Sequence, residues 1–104
     1  MREPPTVVSP EGDVDFANRQ RVRARLLEAV GAERPLLLVD LSGCSAVDSE
    51  GLGAFLPVAR EVHARGGVIR FCSPSPFVDS LLRVTRLSLA FEVLPDLATG
   101  LESV

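Results

Sequence analysis

The chain has 104 residues and a net charge of −3, with eleven basic residues set against fourteen acidic ones. That length suits a single domain spanning 1–104 that buries a core without metals or disulfides, and so mild a charge excludes overall attraction to nucleic acid or anionic lipid. An apolar share of 46% is too high for a disordered chain.

The opening MREPPTVVSPEGD has no apolar signal-like stretch, and no apolar run approaches about 18 residues. The expectation is a cytoplasmic protein, not inserted in a membrane, with reduced thiols. Thr6-Val7-Val8-Ser9 reads as a short strand, broken by Pro10-Glu11-Gly12. Asp15 or Asn18 can cap a helix to about Val30, with Val22, Leu26, Ala29 and Val30 on its apolar side and Gly31 as its stop. Leu36 to Leu41 is almost wholly apolar, as a strand buried on both faces of a parallel sheet is. A second helix is predicted from near Asp48 or Ser49 to Gly66-Gly67, its stripe made by Leu52, Phe55, Leu56, Ala59 and Val62. Pro57 within it removes a hydrogen bond to the Gly53 carbonyl and predicts a kink.

Val68 to Cys72 is the next strand. Ser75 can cap a third helix with Pro76 at its first position, carrying Val78, Leu81, Leu82 and Thr85 on one side. Ala90 to Leu94 reads as a last strand, and Asp96 can cap a final helical turn or two. The order is β-α-β-α-β-α-β-α. It implies a largely parallel sheet with right-handed crossovers and with sites beyond the carboxyl ends of its strands. Ser49 and the Ser73-Pro74-Ser75 loop both follow such ends.

Enzyme chemistry finds little support. The G-x-S-x-G elbow is met neither around Ser45 nor around Ser49. The one histidine, His63, stands about four helical turns from Ser49, roughly 20 Å away, too far for a Ser-His pair, and reads as a surface residue. Gly51-Leu52-Gly53 starts like a dinucleotide fingerprint, but Leu56 takes the place of its third glycine. A phosphate-binding loop needs a lysine, and the chain has none. Asp40, Asp48 and Glu50 match no calcium loop. Cys44 and Cys72 form no CxxC and have no histidine nearby in sequence, so zinc is not expected and both read as small buried hydrophobes. Arg19, Arg21, Arg23 and Arg25 spread over more than one helix face and have no interleaved aromatics for stacking bases. They read as a solvated face, from which Arg19 and Arg23 can also line a surface for an acidic partner.

Asp48-Ser49-Glu50-Gly51 is the most informative stretch. Serine and aspartate both precede helices because their oxygens satisfy free N–H groups, so a plain cap explains either one. Asp48 alone suffices for that task. Ser49 is then left in the first turn beside small glycines, within reach of a partner's active site.

Val39-Asp40-Leu41-Ser42-Gly43 followed by Val47-Asp48-Ser49-Glu50-Gly51-Leu52-Gly53 resembles the signature of STAS domains, the domains of anti-sigma factor antagonists and of sulphate transporter tails. Gly12-Asp13-Val14-Asp15 resembles the G-x-x-D that precedes the family's first helix. Gly66-Gly67-Val68-Ile69-Arg70, Cys72-Ser73-Pro74-Ser75-Pro76, Leu81-Leu82-Arg83-Val84-Thr85 and Phe91-Glu92-Val93-Leu94 continue the likeness, which covers roughly residues 6–100. It implies an α/β, STAS-like fold, a mixed and mostly parallel sheet with helices packed on it. Only about eleven residues precede Gly12, so the N-terminal strand is expected to be shortened or absent. The sheet edge thus opened favours a homodimer. Arg86 stands where the family often has a glycine.

The resemblance further implies an anti-sigma factor antagonist without catalytic activity, cofactor or metal. Ser49 would be phosphorylated by an anti-sigma factor that is also a GHKL-type serine kinase, and dephosphorylated by a metal-dependent serine phosphatase. The unphosphorylated form would bind the anti-sigma factor and free a sigma factor, through a surface including Asp15, Asp48, Glu50, Gly51, Leu52, Gly53, Ser73 and Ser75. The alternative within the family is a constitutive scaffold subunit of a lipid-transport ATPase.

Overall fold

The computed structural model describes residues 5–31, 35–44, 46–48, 51, 53–85 and 92–102. Strands and helices alternate in the expected order: β1 (Thr6–Val8), α1 (Arg19–Val30), β2 (Leu36–Asp40), α2 (Phe55–Ala64), β3 (Val68–Cys72), α3 (Pro76–Val84), β4 (Glu92–Leu94) and α4 (Leu97–Glu102). The strands stand side by side as β1-β2-β3-β4. All three described pairings are parallel, where a mixed sheet was expected.

Each crossover advances by one strand in the same direction. Crossovers of one hand then place α1, α2 and α3 on the same face. Leu26 and Val30 of α1, Phe55 and Val58 of α2, and Val78 and Leu82 of α3 share one core with Leu37, Val39, Ile69 and Phe71 of the sheet. Phe55 and Phe71 meet at a centroid separation of 5.3 Å and a tilt of 57°, an arrangement that aromatic rings favour. The alternate residues Leu38 and Cys72 point to the opposite face, where α4 lays Gly100 against both. Helices on both faces account for the unbroken apolar run of β2, in which Leu37, Leu38 and Val39 are all buried.

Local chemistry sets most helix ends. The Ser75 hydroxyl accepts from Val78 N–H at 3.2 Å and Pro76 takes the first helical position of α3, as predicted. Asp96 Oδ1 accepts from Thr99 N–H at 2.7 Å at the start of α4, and these bonds from Thr99 hold its carboxyl below the ordinary range. After α2, Gly66 turns the chain with φ of 70°, a value that glycine adopts without steric cost. Asn18 is the N-cap residue of α1, but its side chain serves the preceding loop instead of the helix.

Several expectations need correction. The N-terminal strand is present: Thr6–Val8 pairs with Leu37–Val39 along its whole length, so a shortened or absent strand is not supported. The homodimer inferred from a missing strand loses that ground. The regular part of the second helix begins at Phe55, after a turn at Gly53 and Ala54, although Gly51 is already helical. Pro57 thereby falls in the first turn, where an N–H would find no intrahelical acceptor. Its missing N–H coincides with the turn at Gly53 and Ala54 that separates Gly51 from the regular helix. Thr85, expected on the apolar side of α3, is exposed and returns its hydroxyl to the Leu81 carbonyl at 2.8 Å. The last strand is described from Glu92; Ala90, Phe91 and Arg86 lie outside the described residues.

Candidate functional site

Two short segments with the same D/A-V-D pattern lie side by side at the carboxyl end of β2. Asp13-Val14-Asp15 leads into α1, and Ala46-Val47-Asp48 leads into α2. Val14 N–H donates to Ala46 O at 3.1 Å, Asp48 N–H donates to Val14 O at 3.2 Å, and the two valines form a parallel bridge. Both valine side chains are buried while the flanking polar residues stay at the surface, which fixes the register. Asp13 Oδ1 adds a bond from Ala46 N–H at 3.1 Å, and Gly12 N–H donates to Gly43 O at 2.9 Å.

Asp48 joins these segments to the helix that follows. Its Oδ1 accepts from Gly51 N–H at 2.6 Å, the capping bond expected of it. Its Oδ2 accepts from Phe16 N–H at 3.4 Å across the ladder. Gly51 is buried against the backbone of Val14 and Asp15, and a β-carbon there would overlap the Val14 carbonyl. Asp15 and Asn18 exchange bonds: Asp15 N–H donates to Asn18 Oδ1 at 2.9 Å and Asn18 N–H to Asp15 Oδ1 at 3.0 Å. This closed turn orients the start of α1 toward Asp48.

Asp15, Asp48 and Gly51 are therefore brought together. Gly53 is exposed beside them and lines a shallow depression of about 210 Å³ with Arg19, Gln20, Arg23 and Ala54. Ser73 and Ser75 follow the carboxyl end of the adjacent strand and serve that neighbourhood. Ser73 N–H donates to Leu94 O at 3.1 Å from a left-handed backbone (φ 58°), and Ser75 caps α3. Ser49, Glu50 and Leu52 lie outside the described residues.

Phe16 also belongs to this surface. Its side chain is 65% exposed, and the Arg19 guanidinium carbon sits 4.7 Å from its ring centroid. Its signal in the sequence is an aromatic at a helix entrance, out of phase with the half-buried Val22 and the buried Leu26 and Val30 of α1.

The remaining candidates divide clearly. His63 is exposed, as expected. Arg21 and Arg25 line a groove with Val8, Val22 and Leu26, whereas Arg19 and Arg23 face Gly53, so the four arginines do occupy two flanks of α1. Cys44 and Cys72 are buried free thiols, and burial pushes both above the ordinary thiol pKa. Among the described residues no cluster of His, Cys, Asp or Glu is placed to hold a metal, and no helix is long and apolar enough to cross a membrane.

Residues 1–100 match the model of the STAS domain family. A candidate anti-sigma factor antagonist from Thermotoga maritima superposes with a TM-score of 0.88 at 18% identity, over 100% of this chain and 90% of that one. An anti-sigma-factor antagonist (STAS) domain protein from Planctomyces limnophilus gives 0.84 at 21% identity, over 95% and 89%. The anti-sigma factor antagonist SpoIIAA in its unphosphorylated form gives 0.63 at 20% identity, over 92% and 83%. At these identities the structural likeness is one of fold. The family match, together with a parallel sheet whose β2 end carries the Asp48–Gly51 helix entrance, leads to one conclusion: the chain belongs to the STAS domain family.

Proposed function

We propose that this STAS domain is a cytoplasmic bacterial anti-sigma factor antagonist, switched by phosphorylation of Ser49. In the unphosphorylated form it binds an anti-sigma factor that is also a GHKL-type serine kinase, and a sigma factor is released. Phosphate on Ser49 ends that binding, and a metal-dependent serine phosphatase restores it. The domain performs no catalysis itself. Its partner surface comprises Asp15, Asp48, Glu50, Leu52 and Gly53, with the Ser73–Ser75 loop at its margin; Gly51, buried against Val14 and Asp15, supports that surface from beneath.

The observation that carries this reading is the double use of Asp48. Its two oxygens take the N–H groups of Gly51 and Phe16, so the aspartate caps the helical turn at Gly51 that precedes α2. The cap is thereby supplied without a serine, which supports reading Ser49 as the acceptor rather than as the cap. Incubation with the GHKL-type kinases of the source genome and ATP, followed by mass spectrometry, tests the reading. One phosphate per chain at Ser49, and none on Ser49→Ala, is expected. Modification at Ser42, Ser45 or Ser75 with Ser49 untouched contradicts it. Recovery of transport-ATPase subunits instead of a kinase from cell extract would make the domain a scaffold.

A further inference from the structure

We infer that the outer edge of β1 is an interface for a second copy of this chain, the two β1 strands pairing antiparallel across a two-fold axis at Val7. The inference stands apart from the proposed function.

β1 lies at the end of the strand order, with β2 on one side and, among the described residues, no strand on the other. The backbone N–H and C=O groups along such an edge are open to a further strand. Both faces of this edge also leave apolar surface uncovered. On one face, Val7 stands beside Leu38, which faces α4, and remains 41% exposed. On the other, Val8, Val22 and Leu26 line an open hollow of about 230 Å³ between β1 and α1, with Glu11 and Arg25 in its lining. A strand laid against β1 covers both.

The residues set the register. A two-fold axis perpendicular to the sheet keeps equivalent faces of the two sheets on the same side. Centred on Val7, it sets Val7 against Val7 and Thr6 against Val8, β-branched side chains that suit cross-strand pairs. Pro5 and Pro10 have no N–H to donate, and both fall outside these pairs.

Charge selects the occupant. α1 returns from the carboxyl end of β1 to the amino end of β2. Arg25, about two turns beyond the N-cap Asn18, thus lies toward the amino end of β1, whereas Glu11 follows its carboxyl end. Antiparallel pairing brings each Arg25 to the other copy's Glu11, twice by symmetry. Both side chains are exposed, and no ion pair among the described residues engages either. Self-pairing therefore matches both ends of the edge with charges the chain already carries. It also closes, and it sends the two Asp48–Gly51 helix entrances to opposite ends of the dimer, where both stay open. A ladder of three residues alone falls well short of the roughly 1,200 Å² that stable interfaces bury, so the dimer is weak and grows with concentration.

Sedimentation velocity of the full chain from about 5 to 500 μM tests this, and a shift from monomer toward dimer across that range is expected. Val7→Lys should raise the dimer dissociation constant at least about 10-fold, because like charges directly opposite one another destabilise a strand pair. Its circular dichroism spectrum should be unchanged, because the side chain is exposed. Glu11→Arg and Arg25→Glu should each weaken the dimer alone. An equimolar mixture of the two should recover it, since both contacts then join opposite charges. A monomer throughout the range overturns the inference and leaves the edge to a strand from another protein. A dimer that withstands Val7→Lys, or a mixture that fails to recover, overturns it as well.

Discussion

The Val14 carbonyl occupies the space in which a side chain on Gly51 would stand. The segment before α1 and the helix entrance after β2 thus pack backbone to backbone, and the obstacle is one that a rotamer change cannot remove. Overpacking of this kind costs about 1–3 kcal/mol. Gly51→Ala is expected to lower the unfolding free energy by about that amount and to displace the 12–18 segment. Urea denaturation measures the first effect, and amide chemical shifts of Val14 and Asp48 the second. Wild-type values in both would mean that the close approach is dispensable.

Asp48→Ala removes two acceptors at once, leaving Gly51 N–H and Phe16 N–H without this partner. Loss of a helix cap costs about 0.5–2 kcal/mol. Asp48→Asn keeps a carbonyl oxygen for Gly51 and should recover most of that loss. Thermal denaturation of the two variants separates hydrogen bonding from charge: equal destabilisation would show that the carboxylate charge matters more than the cap.

The two thiols make a prediction about pH. Burial raises the folded-state pKa of Cys44 and of Cys72. The unfolded chain therefore loses these protons first, near pH 8.5, and each lost proton favours unfolding. Stability from this source is complete below about pH 8.5 and declines as pH rises above it. The chain has no lysine and no tyrosine, so no other side chain ordinarily titrates between pH 8.5 and 10. The urea midpoint should fall across that interval. A Cys44→Ala, Cys72→Ala variant should show a flatter profile; an equal decline in the variant would refute the assignment.

Much of this architecture is legible in the residues because the signals are local. The apolar run 36–41 marks a strand covered on both faces, and Ser75-Pro76 marks a helix start by one hydroxyl and one missing N–H. The Asp48 cap is legible for the same reason. Its second bond, to Phe16, is not, because it joins residues 32 positions apart through a ladder that no periodicity announces. The close fit of Gly51 to Val14 is hidden likewise: glycine suggests a turn, while here the need arises from another segment's backbone. The apolar stripe begins before the regular helix at Phe55, so periodicity alone places Pro57 in the helix middle. The count of residues before Gly12 argues against an N-terminal strand, yet three residues suffice to pair with β2.

Phosphorylation of Ser49 should weaken kinase binding strongly and leave the fold nearly unchanged. A phosphate brings a charge of about −1.5 to −2. In the free protein two influences oppose one another. A helix N-terminus attracts an exposed anion by roughly 0.3–1 kcal/mol. Asp48 and Glu50, its sequence neighbours, repel it, but solvent and salt screen exposed charges. With Gly51 N–H already bonded to Asp48, the phosphate gains no bond from that donor and disrupts no described core contact. In the complex, water is excluded and the phosphate lies among acids against a surface fitted to a bare hydroxyl. Like-charge juxtaposition in an interface costs several kcal/mol, and about 3 kcal/mol is already on the order of 100-fold in affinity. Ser49→Asp, with a smaller charge, should weaken binding in part, and Ser49→Ala should bind but escape control. Calorimetry of each form against the kinase, with circular dichroism as the check on folding, decides the matter. A phosphoprotein that binds as tightly as the unmodified chain, or one that unfolds, rules this mechanism out.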